Sequence, residues 1–330
     1  MTLDIDAGYI TDDATGDGWR LMLGDSCERL AEIADHTVDL SVCSPPFAQL
    51  YNYSPSPRDL SNSRDRGEFF EHYSFIIREQ LRVTRPGRLS IVHVQQIALQ
   101  KALHGVIGLT DFRGEVIRAH EEAGWIFHGE VTIDKDPQAQ AIRTKAHALM
   151  FVTKDRDAAG LRPALADYLL MFRAPGDNQT PVKTDVSNDE WIQWARPIWP
   201  GCGDVEAMQA MEDLGLILPR PAWYGIRETN TLNTRVAKED ADERHICPLQ
   251  LDLIERCVRL WSSPGELVLS PFAGIGSEGY VSVMQGRRFV GCELKPSYWR
   301  TAVTNLRLAE RQVSTPSLFD DEFDLASGDR

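Results

Sequence analysis

The sequence predicts an α/β protein in which a mostly parallel sheet is covered by helices on both faces. Strand-like and helix-like segments alternate from Trp19 to Ile133. A glycine turn, 274–279, joins the apolar run Leu267–Leu269 to a helical segment and then to a second strand ending on Glu293. The apolar strand Val38–Cys43 runs directly into Ser44-Pro45-Pro46-Phe47. Alternation of this kind needs crossover connections, which place helices on the sheet faces.

In chain order, residues 1–18 carry five aspartates and read as a loose acidic arm. Trp19–Leu23 is a strand, and Gly24-Asp25-Ser26-Cys27-Glu28 has the form of a capping box opening a helix through Ile33. After Val38–Cys43, the two prolines forbid further ladder pairing and fix a rigid turn whose carbonyls point outward. Residues 48–67 form a long polar loop in which Tyr51, Tyr53, Arg58, Arg64 and Arg66 mix aromatic faces with positive charge, as a nucleic-acid-facing loop would.

An amphipathic helix over 68–83, stopped by Arg85-Pro86-Gly87, precedes the buried strand Arg88–Val94. A helix over 111–123 and a strand over 125–133 follow, and Ala148–Thr153 reads as the strand that completes the alternation. From 155 to 244 the periodicity fails among prolines and tryptophans, which marks an irregular insertion. Lys135, Arg143, Lys145, Lys154 and Arg156 lie about its start and Arg227, Arg235, Lys238 and Arg244 near its end, and these could line one groove. A helix from His245 through Val258, with Pro248 in its first turn, leads to the glycine turn. A last helix spans 298–311, and 312–330 reads as a disordered acidic tail.

The chain has 330 residues, 42% hydrophobic content and a formal charge of -14, most of it held at the two ends. That length can bury a sizeable core. The acidic balance lowers the expectation of a nucleic-acid partner without excluding a local basic cleft. No apolar run approaches the ~20 residues that span a bilayer, and no export signal is evident, so a cytoplasmic protein is expected. Six scattered cysteines with no CxxC pair argue against zinc or a disulfide framework, and no metal is expected.

The chemistry is concentrated in two segments. Glycines let the backbone turn sharply and approach a ligand, and Glu293, 19 residues after Gly274, can accept hydrogen bonds from both hydroxyls of a ribose. The segment therefore predicts an adenosine-containing cofactor. Too few residues follow Glu293 for the second half of a dinucleotide fold, and Glu278 would oppose a pyrophosphate. S-adenosyl-L-methionine, cationic and free of phosphate, fits better.

With Ser44-Pro-Pro-Phe47 preceding Phe272-Ala-Gly-Ile-Gly276, the chain resembles the DNA amino-methyltransferases over about residues 19–311, in the motif order of their β group. The resemblance implies a Rossmann-like class I methyltransferase fold with a seven-stranded, mostly parallel sheet. It implies methyl transfer from S-adenosyl-L-methionine to the exocyclic amino group of a base flipped out of double-stranded DNA. Ser44, Pro45, Pro46 and Phe47 match its catalytic motif. Phe272, Ala273, Gly274 and Gly276 match its cofactor loop, Glu293 its ribose acid, and His245, Pro248 and Leu249 the segment beside the methionine end. Ser270 replaces an aspartate often found there.

On this reading 19–154 is the catalytic half, 155–244 the target-recognition region and 245–311 the cofactor half. DNA contacts are expected from Tyr51, Tyr53, Arg58, Arg64, Arg143 and Lys145. Serine at the first motif position favours cytosine N4, with adenine N6 the alternative. An RNA or protein-amide methyltransferase, a non-catalytic nucleic-acid-binding protein and a nicotinamide oxidoreductase are the competing readings. By analogy the enzyme could pair as a homodimer, and Ser317-Leu318-Phe319 resembles the end of peptides that dock on a replication clamp.

Overall fold

The computed structural model describes residues 9–47, 56, 58–99, 101–199, 201–202, 225–227, 229–232 and 248–315. Tyr51, Tyr53, Arg235, Lys238, Arg244, His245 and the Ser317–Phe319 segment lie outside them.

The strands are β1 Asp12–Gly16, β2 Trp19–Leu23, β3 Val38–Cys43, β4 Thr84–Gln95, β5 Ile97–Leu99, β6 Gly108–Thr110 and β7 Ile126–Ile133. They continue with β8 Asp167–Arg173, β9 Ile198–Trp199, β10 Gly201–Cys202, β11 Ile226–Arg227, β12 Leu267–Ser270 and β13 Arg288–Glu293. Nine form one sheet in the order β1-β2-β13-β12-β3-β4-β8-β7-β9. Neighbours from β2 to β4 are parallel, and β8 runs antiparallel to both β4 and β7. The expected seven strands are therefore present, with β1 and β9 added at the edges.

Side-chain alternation along the central strands sorts the core into two layers. Leu40, Val42 and Val268 face one layer with Leu253, Ile254 and Cys257 of the helix Leu251–Trp261, Val281 of Ser277–Met284, and Ala302 and Leu306 of Pro296–Ser314. Cys43, Leu269 and Val92 face the other, with Phe69, Tyr73, Ile76 and Ile77 of the helix Arg66–Val83 and Val116 of Phe112–Glu122. All six residues of β3 are buried, as a central strand covered on both faces requires.

The chain leaving β12 enters a helix on the first layer, and the chain leaving β3 reaches a helix on the second. Adjacent parallel strands whose connections depart to opposite faces leave a crevice between their carboxyl ends, where ligands of such sheets bind. Val268 and Leu269 pair with Leu40 and Ser41, so the turns after β3 and β12 open side by side.

Several expectations change. Part of the acidic arm is β1, which folds back antiparallel on β2 and buries Ala14. The last helix is tied to this end of the sheet, where Glu310 accepts from the backbone N–H of Asp17 and the indole N–H of Trp19, each at 3.1 Å. β4 begins at Thr84 and continues through the proline and glycine expected to precede it. The box expected at Asp25 is a short helix, Ser26–Arg29, followed by a 3-10 turn; Asp25 caps it by accepting from Cys27 N–H at 2.9 Å.

Ala148–Thr153 is helical and 3-10 rather than a strand. That place in the sheet is taken by β8, inside the stretch assigned to target recognition. Asp167-Tyr-Leu-Leu-Met-Phe-Arg173 can be covered on both faces, with Leu169 in one core layer and Leu170 and Phe172 in the other, whereas Phe151 is 74% exposed. The helix expected from His245 begins at Leu251.

Candidate active site

β3 leaves the sheet at Cys43 and the proline pair turns the chain over the crevice. β12 leaves it at Ser270, and Ser26 Oγ donates to the carbonyl of Pro271 at 2.5 Å, tying the second turn to the start of the Ser26–Arg29 helix. A single cavity of about 370 Å³ is lined by Ser44, Pro45, Pro46 and Phe47 from the first turn and by Phe272, Ala273 and Gly274 from the second. Glu293, Pro248 and Leu249 complete the expected residues along it. The volume lies in the range, roughly 300–1,000 Å³, of pockets that enclose small ligands.

Two predicted cofactor residues divide in role. Gly274 (φ +54°) has nothing within 4 Å of the position a Cβ would take, so its bare backbone faces open space. Gly276 (φ +88°) does not line the cavity; a Cβ there would stand 3.0 Å from Ala302 Cβ, so this glycine is required for close helix packing. Ser270 is fully buried and away from the cavity lining, so no cofactor contact arises from it.

Glu293 is pre-positioned by the backbone. Its Oε2 accepts from Gly274 N–H and its Oε1 from Lys295 N–H, both at 2.8 Å. Burial pushes its carboxyl up to about 7 against those two donors. Glu278, also in the lining, is pushed to about 8 by burial, with the charge of Glu293 adding to the effect. Asp25, Asp59, Glu278 and Glu293 thus surround the cavity with carboxyls. Arg58, paired with Asp25, and Lys295 stand in the same lining; Glu293, held by two backbone donors, offers acceptors for hydroxyls, and the carboxyls together suit a cationic ligand, so the residues present fit S-adenosyl-L-methionine.

The basic residues assigned to DNA behave differently. Arg58 lines the same cavity and pairs with Asp25 at 3.2 Å and Glu28 at 2.6 Å, its guanidinium stacked 4.2 Å from the Tyr9 ring centre. It is held against Asp25 and Glu28 at the cavity wall instead of facing outward. Arg64 is 86% exposed and paired with Glu68 one turn along. Arg143 lies in the helix Pro137–Thr144; Lys145, exposed and at φ +51°, follows it and does not line the cavity. Lys135 is buried against Asp167 at 2.8 Å and Arg227 is paired with Asp252, so neither is a free groove cation.

Sequence reasoning missed His72, Phe75 and Ile76, which the Arg66–Val83 helix brings to the lining. Their spacing marks a helix face, and only the fold shows that the face ends over the crevice. It also missed His93 near the end of β4, whose Nδ1 is 3.2 Å from Ser44 Oγ. Phe47 is half-buried, edge-on to His93 and Phe112 with ring centres 6.3 and 6.0 Å apart.

The sheet order and the paired turns at its carboxyl edge define a class I methyltransferase fold. Residues 38–304 match a family described as DNA methylase, and the chain belongs to that family. A putative DNA modification methylase of Thermus thermophilus, solved complexed with S-adenosyl-L-methionine, shares the fold at 21% identity with a TM-score of 0.60, covering 89% of this chain and 94% of that one. The cytosine-N4-specific PvuII DNA methyltransferase does so at 16% identity and a TM-score of 0.56, covering 94% and 92%.

Among curated proteins, the type II methyltransferase M1.MboII of Moraxella bovis is 44% identical over 54 residues, 16% of this chain and 21% of its own length. The DNA adenine methyltransferase YhdJ of Escherichia coli K12 is 34% identical over 70 residues, 21% of this chain and 24% of its own. The matched stretches thus span less than a quarter of these curated relatives. Among the described residues no helix is long and apolar enough to cross a membrane, and no cluster suited to a metal ion occurs.

Proposed function

We propose that this chain transfers the methyl group of S-adenosyl-L-methionine to the exocyclic amino nitrogen of a base flipped out of double-stranded DNA, with cytosine N4 favoured over adenine N6. The observation that carries the reading is the shared cavity, in which Ser44–Phe47 and Phe272–Gly274 line one space although they are far apart in sequence.

The cofactor supplies an activated methyl on a sulfonium. An exocyclic amino nitrogen is a poor nucleophile because its lone pair is delocalised into the ring. Ser44 Oγ and the Pro45 carbonyl accept its two N–H bonds, draw it toward tetrahedral geometry and stabilise the positive charge that develops. Phe47 offers a face to the flipped base, and the rigid prolines hold the acceptors in place. Glu293 accepts the ribose hydroxyls, while the bare backbone of Gly274 admits the adenosine. Serine at the head of the motif supports the choice of base, and the cytosine-N4-specific PvuII methyltransferase shares the fold.

The test is transfer of tritiated methyl from S-adenosyl-L-methionine to DNA, with the product nucleoside identified by mass spectrometry. N4-methylcytosine formation that falls at least ~100-fold in Ser44→Ala is the expected result. Absence of transfer to DNA by the folded, cofactor-binding protein overturns the reading, and N6-methyladenine overturns the choice of base. A homodimer is proposed by analogy alone, and sedimentation of the protein with and without DNA checks it. Docking of the 312–330 tail on a replication clamp is likewise a proposal, tested by a pull-down in which deletion of the tail abolishes retention.

A further inference from the structure

The register of four strands gathers four side chains behind the acceptor hydroxyl. Cys43 pairs with Val92, so the residues that follow, Ser44 and His93, are neighbours. His93 lies opposite Leu169 and Gln95 opposite Asp167, which puts Asp167 diagonally across from His93 on the same face. Ile133 is also opposite Asp167, so Lys135, two residues on, returns to that face.

The distances form a chain. Ser44 Oγ is 3.2 Å from His93 Nδ1, and His93 Nε2 is 3.1 Å from Asp167 Oδ2. Lys135 Nζ is 2.8 Å from the same Oδ2, and Gln95 Nε2 donates to Oδ1 at 2.8 Å. The His93–Asp167 approach is close, though its angle departs from that of a straight hydrogen bond. His93, Lys135 and Asp167 are all buried, at 8%, 6% and 6% exposure. Burial opposes the charge on Asp167, yet His93 and Lys135 together hold its carboxyl down at about 2.

We propose that His93 is a positioning residue that fixes the direction of the Ser44 hydroxyl proton, with Asp167 and Lys135 setting the ring's donor and acceptor sides. This rests on the proposed role of Ser44. A hydroxyl carries one proton and two lone pairs, and an amino N–H is accepted only if the proton points elsewhere. A neutral imidazole has one donor and one acceptor nitrogen. With Nε2–H turned to the Asp167 carboxylate, Nδ1 becomes the acceptor, takes the Ser44 proton and leaves both Oγ lone pairs for the substrate. The competing acceptor, the His93 carbonyl, is farther at 3.4 Å. His93 does not line the cavity, so it serves the substrate only through Ser44.

The test compares His93→Leu, His93→Asn and Ser44→Ala in the full chain, measuring kcat, S-adenosyl-L-methionine affinity by calorimetry, and the nitrogen shifts of 15N-histidine. Asparagine places a carbonyl oxygen near the position of Nδ1; leucine places none. His93→Leu should lower kcat about 100-fold, as loss of a group that orients an active-site acceptor does, with cofactor affinity unchanged. His93→Asn should recover at least tenfold of that loss. The wild-type spectrum should show one histidine, absent from the His93 variants, protonated at Nε2 and bare at Nδ1, with its Nδ1 shift moved by Ser44→Ala.

Full activity in His93→Leu, no recovery in a folded His93→Asn, or a ring protonated at Nδ1 each overturns the assignment. The nitrogen spectrum needs no turnover. Failure of the wild-type protein to methylate DNA would therefore overturn the proposed reaction and leave the orientation of the Ser44 proton separately decided.

Discussion

The backbone N–H of Gly274 donates to Oε2 of Glu293 at 2.8 Å, so the glycine turn after β12 and the acid ending β13 are joined before any ligand arrives. The carboxylate is thereby held over the cavity at a fixed angle.

Cofactor affinity should rise with pH across neutrality. Burial pushes the Glu293 carboxyl to about 7, and ribose hydroxyls donate to its ionised form. Binding therefore releases a proton wherever the free acid is still protonated, and affinity climbs from about pH 6 to about pH 8, by at most about tenfold per unit. Calorimetry in a Glu278→Gln background, which removes the other titrating carboxyl, should show the slope, and Glu293→Gln added to it should abolish that slope and weaken binding by on the order of 1.5–3 kcal/mol.

The two glycines should separate stability from binding. Gly276→Ala forces a side chain into φ +88° and sets its Cβ 3.0 Å from Ala302 Cβ, so thermal unfolding should show a loss of about 2 kcal/mol or more. Gly274→Ala meets no neighbour within 4 Å and should cost about 1 kcal/mol from its left-handed backbone. Its methyl points into the cavity, and the larger effect should be on cofactor affinity.

Glu278 should make the ligand-free protein less stable as pH rises. Its folded carboxyl is pushed to about 8 by burial, far above the value of an unfolded glutamate. The folded state therefore holds a proton that the unfolded chain releases from about pH 4.5 upward, and stability falls by up to about 1.4 kcal/mol per pH unit until ionisation near 8. Denaturant unfolding between about pH 5 and 8 should show this slope in the wild type and a flatter one in Glu278→Gln.

Asp167 has the opposite sign. Its carboxyl sits at about 2, so its contribution is complete above about pH 4 and disappears as pH falls through 2. Asp167→Asn takes the counter-charge away from buried Lys135 and should cost about 3–5 kcal/mol at neutral pH. Asp167→Asn combined with Lys135→Met should recover much of that loss.

The two turns were legible because their residues leave the chain few choices. Prolines cannot continue a ladder, and a left-handed turn at Gly274 and Gly276 disfavours a side chain. β8 was not legible. It is one short strand among prolines, and its burial comes from β4 and β7, which flank it in space. Arg58 looked like a groove cation because its partners, Asp25 and Glu28, precede it by some thirty residues and meet it only through the fold. The link from Ser44 to Asp167 was hidden for the same reason, since it depends on strand register.

Where Glu310 holds both Asp17 and Trp19, the early strand and the late helix touch, and the exposed stretch 158–161 lies well away in sequence. A circular permutant opened there and joined from residue 315 to residue 9, by a linker long enough to run the length of β1 to the cavity end where Tyr9 meets Asp25, would keep every strand neighbour. In that polypeptide the glycine segment would precede the proline segment, and the reacting atoms would not move. The geometry of the shared cavity therefore does not depend on the linear order of the two segments.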